Sequence, residues 1–188
     1  MVKLKFIRYK ILLLCLFGVL SFVAFYHKVS KSCSETGVYD YNAEMDKEFI
    51  VNMFKNHWYW LVSGTSNDFS PEYMLENRAI ANRPESKGTL KIKVYHVESK
   101  PVGFIAYFMK KFHQGYILFL AVDENYRNKG YAKELMNYAI EDLKNHGAYL
   151  INLVTRTSNV SARSVYKKTG FEQIEDDGQF VRYRKILN

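Results

Sequence analysis

One junction constrains the fold more than any other feature of the sequence: an apolar strand leads through a short loop into an amphipathic helix. The apolar run is Tyr116 to Val122, and after the loop apolar residues recur at helical spacing. A helix that follows a strand so closely must bury its apolar face against the sheet that contains the strand. This predicts a sheet packed on helices. The helical positions are Ala132, Leu135, Met136, Ala139, Ile140 and Leu143, and the helix is predicted to end at His146-Gly147.

The remainder of the chain after residue 33 extends this pattern. Its periodicities predict the order β-α-α-β-β-β-α-β-α-β-β, an α+β (α/β sandwich) fold with a mixed sheet. We expect the run around Ile92 to be half-buried, because apolar residues alternate with lysines, and two longer apolar runs to be central strands covered on both faces. The predicted strands are Gly37–Tyr41, the run holding Leu90, Ile92 and Val94 between Lys91 and Lys93, Val102–Met109, Tyr116–Val122, Tyr149–Val154 and a hairpin that turns at Asp176-Asp177-Gly178 into Phe180–Leu187. The other helices hold Phe49, Ile50, Met53, Phe54 and Leu61, then Ser70-Pro71 towards Ala81, then Ala162, Val165 and Tyr166 before Gly170.

Charge and metal-binding residues exclude several functional classes. Six of the 27 basic residues lie in the first 32 positions, which contain no acid, so the rest of the chain carries 21 basic against 19 acidic residues. The excess charge belongs to that leader, and we do not expect nucleic-acid binding. Two cysteines and five scattered histidines provide neither a disulfide framework nor a zinc motif, and we expect no metal site.

The leader, residues 1–32, predicts a membrane anchor ahead of a folded domain at 33–188. Residues Ile11 to Tyr26 form 16 uncharged positions, and counting from Phe6 gives 21, against about 17–25 for a spanning helix. Arg8 and Lys10 would reach the interface. A cleaved signal peptide ending near Cys33 and a buried helix of the core are the alternatives.

The loop between the central strand and the helix has the composition of an anion-binding site. The first amides of a helix lack partners and lie at the positive end of its dipole, and Arg127 and Lys129 add full charges. Gly130 leaves room for a phosphate to approach the backbone. The loop has neither a Walker nor a Rossmann glycine pattern, so an ordinary surface loop is the alternative.

A second motif resolves that choice by resemblance. The segment Arg127-x-x-Gly130-x-Ala132 resembles the [Q/R]-x-x-G-x-[G/A] motif of the Gcn5-related N-acetyltransferase (GNAT) superfamily. The segment beginning at Asn159 resembles the N-x-x-A-x-x-x-Y-x-x-x-G-F pattern of the same family, through Ala162, Tyr166, Gly170 and Phe171. The resemblance covers Gly37 to Leu187.

The resemblance implies a mostly antiparallel sheet that splays between strands Tyr116–Val122 and Tyr149–Val154, with acetyl-CoA entering the gap. The pantetheine arm would pair with the first strand, and the pyrophosphate would rest on the loop amides. Asn159 would contact the cofactor and Tyr166 would lie near its sulfur. The implied cofactor-binding residues are Leu120, Ala121, Val122, Arg127, Asn128, Lys129, Gly130, Tyr131, Ala132, Asn159 and Tyr166.

The implied reaction is acetyl transfer to a primary amine by direct attack in a ternary complex. Tyr166 is the predicted catalytic acid for the departing thiolate, because a phenol is protonated at neutral pH; packing in the core is the alternative. The central strand carries no carboxylate where many relatives have a glutamate base. Asp123 is expected to face the loop. His113, Glu98 and a water held by Tyr116 are other candidates.

Two functions therefore remain open: a membrane-tethered N-acetyltransferase, or a tethered acyl-CoA-binding or interaction module without turnover. Peptide N-termini, lysines, polyamines, aminoglycosides and small metabolites are all open as acceptors. Trp58, Tyr59 and Trp60 would line an acceptor pocket or pack in the core. The leader's charges favour a cytoplasmic N-terminus, whereas acetyl-CoA favours a domain on the cytoplasmic face, which is our expectation. The residues set no oligomeric state.

Overall fold

The strands and helices follow one another in the order predicted from the sequence. The computed structural model describes residues 36–62, 69–78 and 89–187, and the elements below all lie in those ranges. The strands are β1 (Gly37–Asp40), β2 (Lys91–Val97), β3 (Lys100–Lys110), β4 (Gln114–Val122), β5 (Leu150–Arg156), β6 (Glu172–Asp176) and β7 (Phe180–Ile186). The α-helices are α1 (Ala43–Leu61), α2 (Pro71–Asn77), α3 (Tyr131–Asn145) and α4 (Val160–Lys168).

All seven strands join one sheet in the order β1-β2-β3-β4-β5-β7-β6. Neighbouring strands are antiparallel except β4 and β5, which are parallel. A parallel pair needs a crossover connection, and α3 supplies it between these two strands. The predicted mixed, mostly antiparallel sheet is therefore confirmed.

Two apolar layers cover the sheet. One cluster joins α3 and α4 to β3, β4, β5 and β7, with Leu135, Met136 and Tyr183 fully buried in it. The other joins α1 and α2 to β2, β3 and β4 through Ile50 and Phe54. The predicted apolar positions of α3 from Leu135 to Leu143 are all buried, as the helical spacing required. In the described ranges, α1 and α2 pack on β2, β3 and β4, and Asn152 and Val154 of β5 are partly exposed.

A cap and a buried polar pair hold α1 in place. The Asn42 side chain accepts hydrogen bonds from the backbone N–H groups of Glu44 (2.8 Å) and Met45 (3.3 Å), which satisfies two amides at the start of the helix. One turn later Asp46 is fully buried, and its Oδ1 lies 2.7 Å from Nε2 of the buried His96 on β2. The helix bends at His57, whose φ of −126° is not helical.

The lysines of β2 correct one expectation. The alternation of Lys91 and Lys93 predicted a half-exposed strand, but five consecutive residues of β2 are buried, Lys93 among them. The face predicted to be exposed is covered by α3. There Lys91 Nζ contacts Asp142 at 2.7 Å, and Lys93 Nζ lies 4.8 Å from the ring centre of Tyr138. Long aliphatic stems let both lysines cross the layer to these partners.

Two other predictions concern segments at the edge of the described ranges. Ser70 caps α2 by accepting from the Tyr73 N–H at 3.1 Å, as predicted, but the helix ends at Asn77 and does not reach Ala81. The predicted anchor at residues 6–26 lies outside the described residues, as does the rest of the leader. Within the described ranges, none of the helices has the length and apolar character needed to cross a membrane.

Candidate active site

The sheet opens into a cleft between β4 and β5. Only three residue pairs join these strands, and the last of them pairs Tyr116 with Asn152. Beyond that pair the strands diverge, so in the described structure the β5-facing edge of β4 has no strand partner from Ile117 to Val122. Strand β4 contributes to both apolar layers, as predicted, although Leu118, Leu120 and Ala121 remain partly exposed.

The loop after β4 folds back onto the end of its own strand. Asp123 Oδ1 accepts from the backbone N–H of Asn125 (2.9 Å) and from its side-chain amide (3.1 Å), so the carboxylate faces the loop as predicted. The Arg127 side chain donates from Nε to the Val122 carbonyl at 3.1 Å. This bond occupies one edge of the guanidinium and holds the loop against the strand edge, close to the start of α3.

Gly130 shapes the surface of the loop at the start of α3. Its φ is +92°, a left-handed conformation that strains any residue with a Cβ, and an added Cβ would find no atom within 4 Å. Its carbonyl accepts from the N–H groups of Lys133 (2.9 Å) and Glu134 (3.1 Å). The N–H groups of residues 128–132 have no hydrogen-bond partner in the described part of the chain. Unpartnered amides beside open space at the positive end of a helix are the features that favour phosphate binding.

Strand β2 fixes the first turn of α3. The rings of Tyr95 and Tyr131 stack with their centres 4.5 Å apart, and the Tyr95 hydroxyl donates to Glu134 at 2.9 Å. Burial, together with this hydrogen bond to a carboxylate, raises the pKa of Tyr95 to about 12. The phenol therefore stays a donor at neutral pH, and the amides at the start of the helix are held in a fixed direction.

The second motif forms the start of α4. Asn159 Oδ1 accepts from the Ala162 N–H at 3.2 Å and so caps the helix. Its side-chain NH₂ has no partner among the described residues and can donate to a ligand. Leu120, Ala132 and Tyr166 contribute to one apolar cluster, which brings together the predicted residues from β4, the loop and α4.

Tyr166 lies inside that cluster with 6% of its surface exposed. Its ring packs on Tyr183, with ring centres 5.7 Å apart, and on Phe171. Burial raises the pKa of the Tyr166 phenol, although a hydrogen bond with the Thr155 side chain opposes the rise. The phenol is therefore protonated across the physiological range, as a proton donor must be. The packing also agrees with the core alternative, and a substitution is needed to separate the two.

The structure does not bring the candidate bases into the cleft. Asp123 is bonded within its own loop. His113 is exposed at the opposite end of β4, where its carbonyl accepts from the Tyr149 N–H. Glu98 is exposed in the turn between β2 and β3. The Tyr116 ring is partly exposed beside the cleft, with Lys110 Nζ 4.3 Å from its centre.

The aromatic residues at the end of α1 are on the surface. Trp58, Tyr59 and Trp60 are 38%, 56% and 46% exposed, so the alternative that they pack in the core was wrong. Sequence reasoning missed Arg156, which donates from Nε to the Tyr59 carbonyl at 2.7 Å across 97 positions of the chain. A contact so distant in sequence leaves no local pattern that could have revealed it.

Comparison with known proteins gives a consistent result. The sequence profile of the "Acetyltransferase (GNAT) family" matches residues 52–171. N-alpha-acetyltransferase 30 of Schizosaccharomyces pombe is 40% identical over 58 residues, covering 31% of this chain and 39% of that protein. The [ribosomal protein bS18]-alanine N-acetyltransferase of Haemophilus ducreyi is 40% identical over 55 residues, covering 29% of this chain and 38% of that protein. The matched stretches thus span about two fifths of each of these two relatives.

Solved structures share the fold over most of the chain. The PaiA N-acetyltransferase of Thermoplasma acidophilum, solved with coenzyme A, aligns with a TM-score of 0.65 and 21% identity over 81% of this chain and 99% of that one. A GNAT-family acetyltransferase of Staphylococcus aureus aligns with a TM-score of 0.62 and 23% identity over 82% and 100%. At these identities the likeness concerns the fold.

Proposed function

Because this chain belongs to the acetyltransferase (GNAT) family, we propose that it is an N-acetyltransferase that moves the acetyl group of acetyl-CoA to a primary amine. The observation that carries the proposal is the combination of a cleft between β4 and β5 with unpartnered amides around Gly130 at its edge. Acetyl-CoA has a diphosphate for such amides and an extended arm for a strand edge. It supplies the thioester whose acetyl group is transferred.

The residues of the chain have separate tasks in this proposal. The N–H groups of residues 128–132 bind the diphosphate, with Lys129 adding charge. The free edge of β4 from Leu120 to Val122 pairs with the arm, and the Asn159 side chain donates to the cofactor. Tyr166 donates its proton to the sulfur that leaves as the amine nitrogen bonds to the acetyl carbon. The amine loses its own proton to water or to a weak base, since β4 provides no carboxylate, and a proton returned from solvent restores the Tyr166 phenol.

Two measurements test the proposal. Acetyl-CoA is expected to raise the melting temperature, because a ligand that binds only the folded state stabilises it. Thiol release from acetyl-CoA is then followed with an unblocked alanyl hexapeptide, an Nα-blocked lysine peptide, spermidine and an aminoglycoside. Peptides with a free N-terminus come first, since one relative is named an N-alpha-acetyltransferase and another a ribosomal protein bS18-alanine N-acetyltransferase. If acetyl-CoA causes no thermal shift, the proposal is refuted.

A second function, an acyl-CoA-binding module without turnover, is favoured by one specific observation. The strand that borders the cleft has no carboxylate, and Asp123 at its end is bonded to Asn125. A thermal shift with acetyl-CoA that is not accompanied by thiol release with any amine would favour this module over the enzyme.

The leader adds a proposal on location. The uncharged run from Ile11 to Tyr26, extended to Phe6, supports an anchor that holds the domain at the cytoplasmic face, where acetyl-CoA is made. Protease added to sealed vesicles of known orientation tests this. Digestion of the domain from the extracytoplasmic side alone would refute it and would favour the binding module.

A further inference from the structure

Different described elements border the gap between β4 and β5 on the two faces of the sheet. On the face covered by α3 and α4, the amides around Gly130 and the Asn159 cap lie beside the opening. The end of α1 lies over the other face. There the ring of Phe54 contacts the ring of Phe119 on β4 edge-on, with ring centres 4.9 Å apart. Phe69 also packs on Phe119, with ring centres 5.3 Å apart. If the cofactor enters beside Gly130, the acceptor must enter beside the end of α1.

Arg156 borders this second opening from the opposite strand. It is the last residue of β5, and its guanidinium donates to the Tyr59 carbonyl (Nε, 2.7 Å) and to the Val62 carbonyl (Nη2, 3.4 Å). Carbonyls at the end of a helix lack intrahelical partners, and α1 has no basic residue in its last turn to compensate for them. A side chain from the other side of the cleft therefore caps α1.

The same guanidinium also joins the terminal hairpin to α1. Its carbon lies 4.0 Å from the ring centre of Tyr59 and 5.1 Å from that of Phe180, the first residue of β7, which is in register with Arg156. Three elements that are separate in sequence thus meet at one side chain: the end of α1, the end of β5 and the tip of the hairpin.

We propose that Arg156 is a positioning residue for the acceptor amine. It fixes the distance between the end of α1 and the paired strands β5 and β7, and so sets the width of the acceptor opening. The proposal rests on the N-acetyltransferase function. A lysine cannot replace it, because a planar guanidinium can donate to two carbonyls in fixed directions and also lie close to two rings.

The test compares Arg156→Lys and Arg156→Met with the unchanged protein. Arg182→Lys is the matched control, since Arg182 lies on β7 on the same sheet face and its ion pair among the described residues is with the exposed Glu175 at 3.3 Å. KM and kcat are measured with the alanyl hexapeptide, or with spermidine if only the small amine reacts. We expect the KM for the acceptor to rise about 10- to 100-fold in both Arg156 variants. Small displacements of the elements that hold a substrate have effects of this size on enzyme kinetics. The acetyl-CoA thermal shift and the KM for acetyl-CoA should not change.

A fluorescence measurement reports on the same contact without turnover. The chain has two tryptophans, Trp58 and Trp60, and both flank Tyr59 at the end of α1. Loss of the Arg156 cap is expected to increase acrylamide quenching of their emission, whereas Arg182→Lys should leave quenching unchanged.

The outcomes are distinguishable. If the unchanged protein acetylates no amine of the panel, the proposed function fails, and this inference fails with it. If it does acetylate an amine but the Arg156 variants keep its acceptor KM, the inference alone is overturned. Loss of the acetyl-CoA thermal shift in Arg156→Lys would also overturn it, because that residue would then support the whole fold and not the acceptor opening.

Discussion

Substitution of Gly130 tests the phosphate-binding loop most directly. Gly130 has a φ of +92° and open space where a Cβ would be, so a larger residue there strains the backbone without a collision. Backbone strain of this kind costs about 1–3 kcal/mol. A glutamate at this position adds a negative charge beside the amides proposed to bind the diphosphate, whereas glutamine adds the same bulk without the charge.

The expected effect on binding follows from the electrostatics. Two unit charges about 5 Å apart repel by about 3 kcal/mol at an effective dielectric constant of about 20. Since about 1.4 kcal/mol corresponds to a tenfold change in Kd, Gly130→Glu should weaken acetyl-CoA binding by about 100-fold or more, and Gly130→Gln by clearly less. Gly130→Glu should nevertheless be more stable than Gly130→Gln, because an acid at a helix N-terminus gains about 0.3–1 kcal/mol from the helix dipole.

Titration calorimetry with acetyl-CoA and thermal melting of each variant measure both effects. Gly178 is a matched control: its φ is +85°, an added Cβ would also meet no atom within 4 Å, and it lies in the hairpin turn and not at a helix start. Gly178→Gln should lose similar stability and bind acetyl-CoA normally. A folded Gly130→Glu protein with unchanged affinity would refute the assignment of this loop.

Three further predictions concern the chemistry and the core. Tyr166→Phe should lower kcat by ~10²–10⁴-fold with little change in KM, if the Tyr166 hydroxyl protonates the leaving sulfur. Tyr183→Phe, which removes a neighbouring buried hydroxyl, is the control. An unchanged kcat in Tyr166→Phe would make Tyr166 a packing residue. Burial raises the pKa of Asp142, but hydrogen bonds from the Lys91 ammonium and a tyrosine hydroxyl outweigh it and hold the pKa below its usual value. The stabilising effect of the Asp142 carboxylate should therefore be present above about pH 4 and be lost as the pH falls through the folded-state pKa. In urea unfolding, Asp142→Asn should have a lower free energy of unfolding than the unchanged protein at about pH 7, by a difference that shrinks towards about pH 3; a difference independent of pH would contradict this. Gly115→Ala would place a Cβ 2.8 Å from a side-chain carbon on α3 and 3.0 Å from one on β5. It should lower the free energy of unfolding by about 1–3 kcal/mol in denaturant titrations. An unchanged free energy of unfolding would show that the core adjusts there.

The elements of the fold could be predicted because their patterns are local. The spacing from Leu135 to Leu143 identified the buried face of α3, and Ser70-Pro71 identified the start of α2. Burial of Lys91 and Lys93 could not be predicted in the same way. Their partners on α3 lie about 50 positions away, and only the folded chain brings them over β2.

In the candidate site too, features with a local sequence pattern could be predicted, and features that depend on distant contacts could not. The composition around Gly130 predicted a phosphate-binding loop, because glycine and a helix start are adjacent in the sequence. The bond from Arg127 back to the Val122 carbonyl needed only a short loop, yet its direction could not be read from residue types. The cap that Arg156 places on α1 depends on two strands and a helix meeting, which no single segment encodes.

The short pairing between β4 and β5 also has a consequence for how the molecule unfolds. Three residue pairs are the only strand pairing between the first four strands and the last three in the described part of the chain. Local opening should therefore begin where β4 and β5 diverge, since the few strand hydrogen bonds there are the first to be lost. A molecule bound across the cleft adds its binding energy only to states in which both groups are folded. Binding would thus add a second link between the two groups of strands, beside the apolar cluster that α3 and α4 form with both.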